Sequence, residues 1–304
     1  PPTNSPSFHS SIIPRLGKML RVGIDLGGTK IEGIVLDGSG AVVNRKRVLT
    51  ESQLGYRQII SKIGSLYNEL TQESSAIEGV GVCTPGALSR DSDRLKNSNT
   101  QCLIGKLIKE DVEAVLGTPV AMDNDANCFT QAEAVLGAAK GHNVVFGVIM
   151  GTGVGGGICI AGRVHRGHQF IAGEWGHSLL HPGTNECYCG KSGCVETFIS
   201  GPALEKHYKR LHGKTVPLTE IAQDPPQQWK EEFLNNFGMA LSNVINILDP
   251  DIIVLGGGVS NIDFLYTEGP GYVAKYCFND SLVTPIVRNK LGDSAGVFGA
   301  AYLH

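Results

Sequence analysis

Strong charge of either sign is what this 304-residue chain most lacks: 26 basic against 29 acidic residues leave a net charge of −3. No basic field exists to hold a nucleic-acid backbone, and no run of like charge forms a nucleic-acid tail or a polybasic membrane patch. Long apolar runs are missing too, since no stretch approaches the roughly 18 uninterrupted residues of a membrane-spanning helix. Nucleic acid and membrane therefore drop out as partners. The opening PPTNSPSFHSSIIPRLGK, residues 1–18, is rich in Pro and Ser without the apolar centre of a signal peptide, so it reads as a leader or tag-like tail ahead of Met19. Disulfide patterning is also absent from most of the chain. Cys83, Cys102, Cys128, Cys159 and Cys277 stand singly in apolar or helical segments, as reduced thiols of a cytoplasmic protein do.

Glycine is what is abundant, 40 residues, roughly 13% against an ordinary ~7%, and many of them follow apolar strands. LRVGIDLGGTKIEGIVLDGSGAVVNRKRVLT reads as three short strands joined by tight glycine turns. FGVIMGTGVGGGICIAGR matches it without a gap 124 positions later, pairing Gly23, Gly27, Gly33, Ile34 and Gly38 with Gly147, Gly151, Gly157, Ile158 and Gly162. Two related lobes are expected from that repeat. Between the meanders, Ile59, Ile63, Leu66 and Leu70 mark an amphipathic helix, IEGVGVC a buried strand, and Lys106 to Leu116 and Asp125 to Leu136 two further helices. Phe233, Phe237, Leu241, Val244, Ile245 and Leu248 form the clearest helical stripe, stopped at Pro250; the strand IIVLGGG and a closing helix GVFGAAYLH follow. The expectation is an α/β chain of duplicated βββαβα lobes, residues 19–122 with the closing helix at 294–304, and residues 123–293, with a boundary near Met122.

Backbone N–H groups of a glycine turn after a strand approach phosphate oxygens without side-chain obstruction. Three such turns occur, Gly27-Gly28-Thr29-Lys30, Gly151-Thr152-Gly153 and Gly256-Gly257-Gly258, and together they point to a nucleotide rather than to hairpin geometry alone. GTGVGG fits the dinucleotide pattern but leads into another strand instead of opening a helix, which rejects a Rossmann site. NECYCGKS ends like a P-loop, yet Asn185 stands where its first glycine belongs.

GIDLGGTK, DNDAN, GEWGH and CYCGKSGCVE, in that order, resemble the ROK family of bacterial sugar kinases and repressors, within the actin and hexokinase superfamily. The resemblance runs from about Met19 to the end and implies a two-lobed, ribonuclease H-like fold, ATP and Mg²⁺ as cofactor and donor, and a homodimer. GEWGH followed by CYCGKSGCVETFISG looks most like the fructokinase (mannofructokinase) branch, because N-acetylglucosamine kinases of the family typically carry Phe where Trp175 stands. The activity implied is phosphorylation of a hexose 6-hydroxyl, fructose first, with N-acetylglucosamine, N-acetylmannosamine and glucose kinases as alternatives. A sugar-responsive repressor is the rival of another class; residues 1–18 contain no helical stripe for a DNA-binding module.

Phosphoryl transfer to a hydroxyl needs a carboxylate to take the proton. Asp125 reads equally as an ordinary helix N-cap and as that base, and the resemblance favours the base. Asp25 resembles the acid that contacts hydrated Mg²⁺, and Lys30 either meets phosphate or is a solvated strand residue. His177, Cys187, Cys189 and Cys194 supply a Cys₃His set for structural zinc, with the Cys-x-Cys spacing leaving a disulfide or free thiols open. By resemblance, Asn124, Glu174, His177 and Glu196 contact the sugar, His177 giving one ring nitrogen to zinc and the other to a hydroxyl. Thr84 in TPGAL and Asn97 in NSNT also fall in the expected sugar pocket.

Overall fold

The computed structural model describes residues 19–72, 76–98 and 100–304; the expected tail at 1–18 and Asn99 of NSNT lie outside the described residues. Leu20–Leu26, Lys30–Leu36 and Val42–Leu49 form the expected antiparallel meander, and Ile77–Thr84 and then Ala121–Asn124 add in parallel beside the first strand. Val144–Met150, Val154–Ile160 and Arg163–Val164 repeat the meander, with Ile252–Gly256 and Ile286–Arg288 added in parallel in the same order. Each unit thus carries a fifth strand beyond the four expected. The boundary placed at Met122 falls inside the fifth strand of the first sheet.

Alternation along the first strand explains why helices cover both faces of its sheet. Val22, Ile24 and Leu26 are buried in one core with Ile59, Ile63 and Leu66 of the helix Tyr56–Thr71. The opposite face carries Gly23 and, on the neighbouring strand, Gly81. A Cβ at these positions would lie 2.1 Å from the Val297 carbonyl oxygen and 1.8 Å from that of Ala300, so only glycine admits the closing helix Ala295–Ala300 to this depth. The second sheet repeats the device. Phe146, Val148 and Met150 pack with Phe233, Phe237 and Leu241 of the long helix Gln227–Leu248, while Gly147 and Gly157 face Thr130 of the helix Asp125–Val135.

The 124-residue offset holds along the first strands but not across the hairpins. Gly23 pairs with Ile34, whereas Gly147 pairs with Gly157 and not with Ile158. The second hairpin is one residue tighter, which brings Gly157 under Thr130. The helix expected from Lys106 starts at Ile108, and the closing helix stops at Ala300 instead of running to His304. Among the described residues no helix is long and apolar enough to cross a membrane.

The Asp125–Val135 and Ala295–Ala300 helices meet where a Cβ on Gly299 would come within 1.7 Å of the Cys128 carbonyl oxygen. Gly299→Ala should therefore lower unfolding free energy in urea by about 1–3 kcal/mol through overpacking. Gly271→Ala, in a helix with nothing within 4 Å of the new Cβ, should be neutral or stabilise by about 0.5–1 kcal/mol. Equal stability of the two variants would contradict this account of the crossing.

Candidate active site

Strand Ala121–Asn124 runs directly into helix Asp125–Val135, and the residue that caps the helix is Asn124. Its Oδ1 accepts the Asn127 backbone N–H at 2.8 Å, satisfying one of the unpaired donors of the first turn. Asp125 is thereby released from capping and, as the first helical residue, accepts only the Ala126 N–H at 2.9 Å among the described hydrogen bonds. Asp123 anchors the turn from below, accepting Asn127 Nδ2 at 2.7 Å and Arg166 Nε at 2.6 Å. Arg166 also donates to the Met122 carbonyl at 3.1 Å, so a loop of the second unit clasps the strand that ends in the candidate base.

Asp125 is exposed, yet the protein packed around its carboxylate costs it part of its hydration. That desolvation raises its pKa above the usual carboxylate range, and the Glu174 charge adds to the effect. Asp25, at the end of the first strand, is pushed up to about 6, by burial first and then by the charges of Asp125 and Glu32, against the Cys83 thiol and Lys30. Asp125 therefore lies in electrostatic reach of Asp25 on one side and of Glu174 on the other.

His177, Cys187, Cys189 and Cys194 offer ligand atoms that all lie within 4.8 Å of one another. Cys189 and Cys194 sulfurs are 3.6 Å apart, too far for a disulfide, whose S–S bond is about 2.05 Å. A tetrahedral zinc with Zn–S of about 2.3 Å and Zn–N of about 2.0–2.1 Å sets S···S edges near 3.8 Å and S···N edges near 3.6 Å. Cys187 Sγ lies 3.6 Å from His177 Nδ1. The donor set and spacing fit zinc.

The cluster fixes its acidic neighbours. Glu196 begins a short helix immediately after Cys194–Val195 and accepts the Val154 N–H at 2.8 Å, strapping the cysteine loop to the second glycine turn. Glu174 precedes the turn Trp175–His177 and is exposed. The second nitrogen of His177, expected on a sugar hydroxyl, instead faces Tyr188 Oη at 3.0 Å. Thr84 is buried and its hydroxyl donates towards the Asp123 and Gly86 carbonyls, which packs it under the base turn.

The glycine turns divide. In the first, the Gly27 N–H closes on the Lys30 carbonyl at 2.9 Å and Thr50 holds the backbone of Gly27 and Thr29, leaving Gly28 and Thr29 exposed at the tip. In the second, Gly151 N–H bonds the Gly153 carbonyl and the Gly151 carbonyl accepts from Gly201 at 2.8 Å. Gly257, at φ +80°, sits so close that a Cβ would be 2.4 Å from the Met150 carbonyl oxygen. The second and third turns thus converge, and Gly151, Thr152 and Gly258 line a cavity of about 900 Å³ with Val259, Phe264 and Lys230. The first turn, Gly27 to Lys30, does not line that cavity. Gly256, expected on phosphate, is a correction: it is buried, and its missing side chain makes room for the Phe129 ring, 2.6 Å from where a Cβ would stand.

Asp123, Arg166 and Tyr188 escaped the sequence reading. Asp123 lay inside the quoted DNDAN, but its partner is far along the chain. Trp175, the residue taken to mark a fructokinase, is buried; its Nε1–H donates to the Gly155 carbonyl at 2.9 Å and its ring meets Phe146 edge-on.

The sequence profile of the ROK family matches residues 21–304. The chain is 34% identical over 298 residues to the N-acetyl-D-glucosamine kinase of Pectobacterium carotovorum, covering 93% of this chain and 98% of that one. Its fold superposes on the ROK hexokinase of Thermus thermophilus with a TM-score of 0.83 at 32% identity, covering 94% and 97% of the two chains. The ROK family glucokinase of Streptomyces griseus, solved with glucose and AMPPNP, gives a TM-score of 0.74 at 27% identity, covering 93% and 98%. These likenesses give the two units the actin/hexokinase-like fold.

Because the folded protein raises Asp25 from 3.8 to about 6, its ionised form opposes folding, and stability falls as pH rises through that window. Asp25→Asn removes the penalty. In thermal melts without added divalent cation, the variant should exceed wild type at pH 7.5 by up to ~3 kcal/mol, and the gap should close at pH 3.5. A variant less stable than wild type at pH 7.5 would refute the reading of Asp25 as a buried, destabilising charge.

Proposed function

The chain belongs to the ROK family, and on that premise we propose that it is an ATP-dependent hexose kinase that phosphorylates the 6-hydroxyl of N-acetylglucosamine. The observation that carries the reading is Asp125: a carboxylate excused from capping, raised in pKa, within reach of Glu174 and Asp25. A base poised closer to neutrality accepts a hydroxyl proton more readily than an ordinary aspartate. Asp125 takes the 6-hydroxyl proton as the γ-phosphoryl group arrives, and Asn124, Glu174, His177 and Glu196 orient the sugar by hydrogen bonds. The Thr152 and Gly153 N–H groups of the second glycine turn, with Gly257 and Gly258 beside it, receive the nucleotide phosphates, and the Gly27–Lys30 hairpin approaches from the other sheet.

Asp25 would hold hydrated Mg²⁺, whose charge offsets that of the phosphates. Zinc held by His177, Cys187, Cys189 and Cys194 would brace the loop between Glu174 and Glu196. The amino sugar is preferred over fructose on two grounds. The kinase of Pectobacterium carotovorum, similar along 93% of this chain, acts on N-acetyl-D-glucosamine. Trp175, which favoured fructose, packs in the core and cannot read the hexose.

A coupled assay of ADP formation across N-acetylglucosamine, N-acetylmannosamine, glucose, mannose and fructose tests the proposal. The highest kcat/KM is expected for N-acetylglucosamine. A tenfold preference for fructose would move the substrate, and ADP formation indifferent to every sugar would remove the kinase reading.

A further inference from the structure

Tyr188 of the metal loop is 76% accessible, yet its hydroxyl is engaged. His177 turns Nδ1 towards the cysteine sulfurs, 3.6 Å from Cys187 Sγ, and Nε2 towards Tyr188 Oη at 3.0 Å. With Nδ1 committed to the cluster, the ring proton resides on Nε2, which must donate to a hydroxyl oxygen. The phenol supplies that oxygen, and its ring stands edge-on to the imidazole at 5.2 Å. The imidazole is one of the groups proposed above to hold a sugar hydroxyl, and here it holds a side-chain hydroxyl instead, with Glu196 lining the same cavity as Tyr188.

We propose that Tyr188 occupies the hydroxyl position of the hexose in the sugar-free enzyme, so that sugar binding expels the phenol from His177. The inference rests on the kinase reading of the same site. Two features make the exchange feasible. Tyr188 lies between Cys187 and Cys189, so the cluster holds its backbone on both sides while its side chain, 76% exposed, is held by His177 alone among the described hydrogen bonds. A cavity of about 820 Å³, lined by Tyr188, Glu196, Asn185, Lys206 and Arg210, lies alongside to receive the ring. A self-occupied site weakens apparent sugar affinity by the fraction of molecules in the occluded state, and the effect falls on KM without touching the chemical step.

Tyr188→Phe keeps the ring and removes the oxygen. Calorimetric titration of the zinc-loaded full-length protein with N-acetylglucosamine should show Kd about two- to tenfold lower in the variant, with KM falling in parallel and kcat following wild type. Zinc content and melting temperature identify a variant that has lost its loop, in which case 19F NMR of 3-fluorotyrosine-labelled wild type replaces it: the Tyr188 resonance should move on addition of the sugar. Weaker or unchanged sugar binding by the Phe variant, or a Tyr188 signal indifferent to bound sugar, overturns the proposal while leaving the kinase intact. Failure of wild type to bind the sugar defeats the kinase reading, and the exchange with it.

Discussion

Burial of the Asp125–Val135 helix on every side is the constraint from which the site follows. All residues from Ala126 to Ala134 are buried, so the helix has no solvent face along which to slide. Gly147 and Gly157 let the sheet approach Thr130 on one side, and Gly299 lets the closing helix approach Cys128 on another. Asn124 caps the first turn. At the far end, the buried Glu133 carboxylate accepts the backbone N–H groups of Ala138, Lys290 and Leu291 at 2.7, 3.0 and 2.8 Å, tying the helix to the segment that leads into Ala295–Ala300. A buried carboxylate is tolerated when hydrogen bonds satisfy it in this way. Asp125 is therefore placed by packing and not by a mobile loop.

Two further consequences follow from charge. The negative charges of Asp25 and Glu174 both bear on Asp125, an arrangement unfavourable to the protein alone and suited to a hydroxyl donor. Glu196, strapped to Val154, makes the cysteine loop and the second glycine turn move as one piece. Thr152 borders both large cavities, so the second glycine turn forms part of the wall between them.

Much of the fold was readable because glycine and β-branched residues alternate with the strand period: Gly23 between Val22 and Ile24 marks both a core face and a face reserved for a close helix. The duplicated meander was readable for the same reason. Its register was not, since a hairpin one residue tighter leaves the hydrophobic pattern of both strands unchanged. The candidate metal cluster was legible because three cysteines and a histidine carry their chemistry in their identity. Asp125 and Asn124 are both good caps, so only the geometry of the first turn separates cap from candidate base. Gly256 and Trp175 misled because a glycine or an indole in a motif looks functional whether it faces a ligand or, as here, a Phe ring. The Arg166–Asp123 contact joins residues 43 positions apart, beyond any local pattern.

The central claim is that one freed carboxylate moves the proton. Asparagine at position 125 can still accept the Ala126 N–H but cannot take a proton, so Asp125→Asn isolates that role from folding. Rapid-quench measurement of a single turnover with saturating ATP and N-acetylglucosamine should find phosphoryl transfer slowed by about 10²–10⁴-fold, with sugar affinity kept within a few fold. Transfer within tenfold of wild type would contradict the account.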